Sequence, residues 1–157
     1  MIIGRPIQNY DAVEIGISPA AVFEYVTRPD LWHEWHPAST SAVLPRVPLR
    51  AGDAFHEMIT ISYPFMRIRR ATDYTVTVSE PNSVWEVRGK STLFDLVIHY
   101  EFKPQGETTL FERTLTYQVK GLLAYFEPIL VRPKIRGQSA LALRNLKKLL
   151  ESRNGRI

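Results

Sequence analysis

The spacing of apolar and polar positions changes period along this chain. It passes from one strand and two short helices, through a long stretch of period two, to a helical C-terminal third. Residues 10–17 alternate, with Val13, Ile15 and Ile17 on one parity, and predict a first strand. Ser18-Pro19 then supplies an N-cap and a proline at the first helical position. The helix over 20–26 puts Val22, Phe23 and Val26 on one face and stops at Arg28-Pro29. Asp30 caps a second short helix over 31–35, which His36-Pro37 ends.

From residue 39 onwards strands are predicted over 39–47, 52–63, 67–79, 84–89, 93–102 and 108–119. The breaks between them carry turn residues, Glu80-Pro81-Asn82-Ser83 and Lys103-Pro104-Gln105-Gly106 most plainly. The proline-bounded segment 39–47 belongs at a sheet edge, and the short connections imply an antiparallel meander. Ile135, Ser139, Ala142, Leu146 and Leu149 recur at spacings of three and four, the stripe of a long amphipathic helix that Asn154-Gly155 ends. Pro128 and Pro133 make 122–132 a kinked or separate lead-in.

The fold expected from this order is α+β: a seven-stranded curved antiparallel sheet around the C-terminal helix, with the two short helices after the first strand closing one edge. A single domain over 1–157 accommodates it. The helix offers small residues, Gly137, Ser139, Ala140 and Ala142, where a filled core calls for larger ones. Small side chains opposite a concave sheet leave a pocket unless bulky strand residues fill it.

Composition narrows the chemistry. With no cysteine there is neither a disulfide nor a thiolate nucleophile. The net charge of +4 is dispersed over Arg67, Arg69 and Arg70, then Arg132, Lys134 and Arg136, then Lys147 and Lys148, so nucleic-acid binding is not expected. No apolar run matches a signal peptide or a membrane span, which makes a cytoplasmic protein the expectation. His33 and His36 are spaced as two metal ligands can be, but no third ligand suggests itself, and neither metal nor cofactor is expected. His56 and His99 read as surface or hydrogen-bonded residues, and the oligomeric state stays open.

The stretch 17–37 (Ile17-Ser18-Pro19 through Trp32-His33-Glu34-Trp35-His36-Pro37) resembles the opening strand and helix pair of the START/Bet v 1-like helix-grip superfamily, in its polyketide cyclase/dehydrase and lipid-transport branch. Gly52, Ser79-Glu80-Pro81 and the 104–108 hairpin are similar to that family's glycine, acidic-proline turn and glycine-threonine turn, so the resemblance spans nearly the whole chain. It implies a helix-grip fold shared by ligand carriers, cyclases, hydrolases and regulators alike. It also implies that the pocket arginine of aromatic polyketide cyclases is replaced here by Thr77, and that aromatic positions of their pocket walls match Ile98 and Glu112.

The function expected is binding or transport of a small hydrophobic ligand: a lipid, isoprenoid or aromatic metabolite. The alternatives are a cyclase/dehydratase- or hydrolase-type enzyme working by general acid/base catalysis, and an interaction module with a vestigial cavity. The ligand-contacting candidates are Trp35, Phe55, Ile98, Tyr100, Phe102, Phe126, Gln138, Ser139 and Ala142. Trp32 is read as an anchor, and Trp35 as either anchor or pocket wall. On 93–102 the pocket face is Leu96, Ile98, Tyr100 and Phe102.

Two parities conflict. Hydrophobic alternation points Phe111, Arg113, Leu115 and Tyr117 inward, whereas alignment on the hairpin points Leu110, Glu112 and Thr114 inward. Tyr74, Val76 and Val78 face in by alternation, whereas counting back from Pro81 turns Asp73, Thr75 and Thr77 in. Asp73 and Glu112 are the acid/base candidates if they line the cavity. The apolar segment 121–126 lies near the entrance as a gate or a lipid-touching lip, with Arg132, Lys134 and Arg136 placed for a transient membrane-surface contact.

Overall fold

The structure is a computed structural model and describes residues 2–154. Strand β1 (Ile7–Ile15) leads into helix α1 (Pro19–Val26) and a 3₁₀ turn, Pro29–Glu34. Six further strands follow: β2 (Ser39–Val43), β3 (Ala54–Ser62), β4 (Arg67–Glu80), β5 (Val84–Lys90), β6 (Phe94–Gln105) and β7 (Thr108–Val119). A 3₁₀ turn (Gly121–Phe126) and a π turn (Glu127–Val131) then lead into α2 (Arg132–Asn154). The strands form one curved antiparallel sheet in the order β1-β7-β6-β5-β4-β3-β2, with α2 across its concave face. The first strand thus closes on the last.

Local chemistry explains the joints. The Ser18 hydroxyl accepts the Ala21 N–H at 3.3 Å, and Pro19 costs the first turn nothing because its missing N–H has no partner there. Trp32 donates its indole N–H to the Val26 carbonyl at 2.8 Å and meets Phe55, Tyr74 and Trp85 edge-on, which pins the helix pair over the sheet. Between β6 and β7 the loop is only Gly106-Glu107, with Gly106 at φ 62°, the conformation a tight hairpin needs at its first position.

Several boundaries move from the sequence pattern. β1 runs over Ile7–Ile15 rather than 10–17, because its backbone pairs along β7 as far as Tyr117. β6 continues through Pro104, which pairs only with Thr109 of β7. β5 has ended opposite Glu101, so no neighbour requires the N–H that proline lacks. β2 stops at Val43. On α2 the buried set is Ser139, Ala142, Leu143, Leu146 and Leu150, so the stripe ends on Leu150 with Leu149 half-buried beside it. The proposed stop at Asn154-Gly155 falls partly outside the described residues.

The inner face of the sheet holds the core: Phe55, Tyr74, Val76, Trp85, Val87, Tyr100 and Phe111 are almost fully buried. A shift of register between Val76 and Val78 against β5 places an extra residue, Thr77, in β4. Such a bulge reverses the parity of everything upstream. Counting back from Pro81 therefore misplaces Asp73, Thr75 and Thr77, which all point outward. Upstream of the bulge Tyr74 and Val76 face in, as hydrophobic alternation has them. Beyond it Ser79 pairs with the buried Trp85 and Val78 with Glu86, so Val78 turns outward against that alternation.

Candidate functional site

Between α2 and the concave sheet lies a partly open cavity of about 80 Å³. Its deep end is closed by Trp32, Trp35 and Ala38, and its walls come from β3 (Ile59, Ile61), β6 (Phe94, Leu96, Ile98) and β7 (Leu115, Tyr117). Ile135, Gln138 and Ser139 of α2 form the roof. Most of this surface is apolar, and the half-buried Ile59, Leu96, Ile135 and Gln138 mark where it approaches solvent.

Polar side chains interrupt the apolar lining, and His36, Glu57, Tyr74, Tyr100 and Arg113 carry its ionisable chemistry, with Tyr117 and the neutral Ser39, Gln138 and Ser139 beside them. Glu57 and Arg113 are each 3% exposed. Strand alternation puts them there, at the second place of Phe55-Glu57-Ile59-Ile61 and of Phe111-Arg113-Leu115-Tyr117. Glu57 accepts hydrogen bonds from the Ser39 hydroxyl at 2.5 Å and from the Tyr74 hydroxyl at 3.1 Å. Burial pushes its pKa up to about 7, against the pull of those two donors and of the Arg113 charge. Tyr100 is raised to about 12, chiefly by burial.

Arg113 donates Nη1–H to the Ser139 hydroxyl at 3.1 Å, while its Nε–H is buried without a partner. His36 Nε2 stands 3.5 Å from Nη2. Burial, and then the guanidinium charge, hold the His36 pKa far down at about 3, so its ring is neutral. The Tyr74 ring that reaches Glu57 crosses directly over Gly89 on β5. A Cβ there would stand 2.6 Å from Tyr74 Cε1, so only glycine leaves the ring its place.

The candidates from the sequence divide. Trp35, Ile98, Tyr100, Gln138 and Ser139 line the cavity. Trp35 also receives the Asn145 side-chain amide on its carbonyl at 3.1 Å, so it ties α2 down as well as forming wall. Phe55, Phe102 and Ala142 are core rather than lining: Phe55 stacks on Tyr74, Phe102 packs against Phe23 and Phe111, and Ala142 is fully buried. Phe126 stands half-exposed on the lead-in to α2, away from the cavity. Of the small residues on α2 only Ser139 meets the space, so the helix stripe is not what leaves it open.

Asp73 and Glu112 lie on the convex face. Asp73 pairs with His56 at 2.6 Å, both side chains largely exposed. Glu112 pairs with Lys103 at 2.8 Å, and that ammonium holds its carboxyl below the usual range. Neither can act on a molecule in the cavity, and among the described residues Glu57 is the carboxylate that lines it. The other histidines sit elsewhere: His33 is exposed, and His99 lies between Glu86 and Glu101. Among the described residues no three His, Asp or Glu side chains converge on a point that could hold a metal ion. No helix among them is long and apolar enough to cross a membrane.

Sequence reasoning assigned no role to Glu57 or Arg113. The available signal was a charged residue standing alone on an otherwise apolar strand parity.

A sheet closed around one long helix over an interior cavity defines a START/Bet v 1-type helix-grip protein. Residues 8–151 match the family described as polyketide cyclase / dehydrase and lipid transport, and the chain belongs to that family. No curated protein matches the sequence. Among solved structures, a conserved protein from Geobacillus kaustophilus is similar at TM-score 0.75 and 13% identity, covering 93% of this chain and 96% of that one. The Zhui aromatase/cyclase from Streptomyces sp. R1128 is similar at TM-score 0.74 and 10% identity, covering 96% of each chain. A START superfamily protein from Mycobacterium smegmatis is similar at TM-score 0.67 and 16% identity, covering 93% and 95%. At these identities the likeness is one of fold. The family itself points to ligand binding or to a cyclase-type role.

Proposed function

We propose that this protein binds a small, compact, largely apolar molecule in the cavity beneath α2. The observation that carries the reading is the cavity itself: space bounded by Trp35, Ile98, Leu115 and Ile135 in a core whose other large side chains pack closely. Apolar walls supply affinity at roughly 25 cal/mol per Å² of ligand surface covered, before the costs of binding. About 80 Å³ suits one ring or a short branched chain better than an extended acyl tail.

Native mass spectrometry of the purified protein tests the reading. A bound molecule of low mass, or a rise in melting temperature with toluene or benzyl alcohol, is expected. Absence of both would remove it.

The same reading extends to the lead-in of α2. Leu122, Tyr125 and Ile129 are largely exposed there, and Tyr63 ties the β3–β4 turn, with its exposed Phe65, to the Leu130 carbonyl at 2.9 Å. Lys134 stands over the Tyr63 ring and Arg136 is exposed, whereas Arg132 is held by the Glu127 carboxylate at 2.6 Å; Arg67 is exposed two residues beyond Phe65. An apolar lip flanked by cations matches the surface of an anionic membrane, and a transient contact of that kind is part of the proposal.

A further inference from the structure

We infer that the molecule held in the cavity is a small monoanion, a compact apolar body bearing one carboxylate, and that Arg113 and His36 receive the carboxylate oxygens. The inference rests on the binding role proposed above and adds the chemical class of the ligand.

A guanidinium carries five N–H donors in a rigid fork and keeps its charge inside a protein. Arg113 gives one of them to Ser139, and its Nε–H is buried with no acceptor. Among the described residues no carboxylate lies in ion-pair contact with it. Its cross-strand neighbour Asp11 takes the Asn9 side-chain amide at 2.8 Å instead. Glu57 is engaged by Ser39 and Tyr74. The aromatic hydroxyls of Tyr100 and Tyr117 share the cavity, and the Tyr117 hydroxyl is likewise buried without a partner.

His36 sharpens the point. The Ala38 N–H donates to His36 Nδ1 at 3.1 Å, so the proton of the neutral ring sits on Nε2. That Nε2–H faces Arg113 Nη2 at 3.5 Å, a donor against a donor with no acceptor between them. An oxygen entering from the cavity would accept from both. A buried cation whose neighbours are donors and neutral oxygens is unfavourable by itself and becomes favourable once an anion pairs with it. A single guanidinium beside a buried carboxyl group matches one negative charge, which favours a carboxylate over a phosphate dianion. The apolar walls and the size of the space restrict the remainder to about one ring.

Calorimetric titration of the full chain at about pH 6, where a free aromatic acid is ionised, with probes of matched shape tests this: benzoate, benzyl alcohol, toluene and phenylphosphonate. Benzoate is expected to bind roughly tenfold or more tightly than the neutral probes, as a charge-assisted pair with a buried guanidinium allows. Arg113→Met should abolish that preference while toluene binding persists. His36→Phe should weaken benzoate by a few-fold with the neutral probes unchanged, and it serves if the first variant does not fold. Neutral probes that bind as well as benzoate to the wild-type protein would overturn the inference and leave the apolar cavity reading standing. Phenylphosphonate binding tighter than benzoate, either at this pH where it is mostly a monoanion or at about pH 8 where it is a dianion, would overturn the carboxylate assignment. If no probe binds, the cavity reading fails together with this one.

Discussion

Glu57 shows what one buried side chain does to a small protein. Its carboxyl group stays protonated in the folded state up to about pH 7, whereas in the unfolded chain it ionises near its ordinary 4.5. Between those values the native state holds a proton that the unfolded state has released, so stability falls as pH rises through the window and levels off above it. The span corresponds to about 3 kcal/mol. Glu57→Gln keeps a group that can accept from Ser39 and Tyr74 and removes the titration. Urea unfolding of both proteins at pH 4.5 and 7.5 should show the wild type losing about 3 kcal/mol relative to the variant, and equal losses would refute the assignment. Glu57 and Arg113 were legible only as charged exceptions on apolar parities. Their partners come from three other parts of the chain, the segment of His36 and Ser39, Tyr74 on β4 and Ser139 on α2, and nothing in local spacing foretells that convergence.

At the level of elements, strands and helices follow the period of the sequence closely, and the departures have local causes. The bulge at Thr77 is the instructive one, because a single extra residue decides on which side of the sheet Asp73 lies. Turn chemistry marked the β6–β7 hairpin correctly, and β7 spans the predicted 108–119 to the residue. The lead-in to α2 was legible as an interruption. Its π turn reflects Pro133, which cannot donate to the Ile129 carbonyl, and the ladder adjusts with Arg132 N–H reaching back to Glu127. Leu122 and Ile129 on that segment are each 74% exposed, so replacing both with serine should leave the fold intact. Vesicle sedimentation checks the membrane contact. The wild-type protein should bind vesicles containing phosphatidylserine more than neutral ones, and the double variant should lose most of that binding. Wild-type protein that stays in the supernatant would exclude the contact.

Across the whole molecule, stability is unevenly shared. β5, β6 and β7 lie inside the sheet, paired on both sides, and carry Trp85, Val87, Tyr100 and Phe111 into the core. β2 is a short edge strand of five residues, and the lead-in to α2 exposes much of its side-chain surface. Hydrogen exchange should therefore be slowest in β5–β7 and at least a hundredfold faster, roughly, in β2 and 121–131. Uniform protection would contradict this partition. The sequence by itself determined the order of elements, the antiparallel connections, the helix pair anchored by Trp32 and the family, because each rests on periodicity, turn residues or a contiguous motif. Only the tertiary structure decided what faces the cavity. Facing depends on register, and one bulged residue far from a side chain turns it from solvent to core. Asp73 left the site because of the bulge at Thr77, and Glu112 because unbroken pairing of β7 with β1 and β6 keeps its parity on the convex face. Arg113, Glu57 and His36 form the site because curvature brings β7, β3 and the end of a 3₁₀ turn to one point beneath α2.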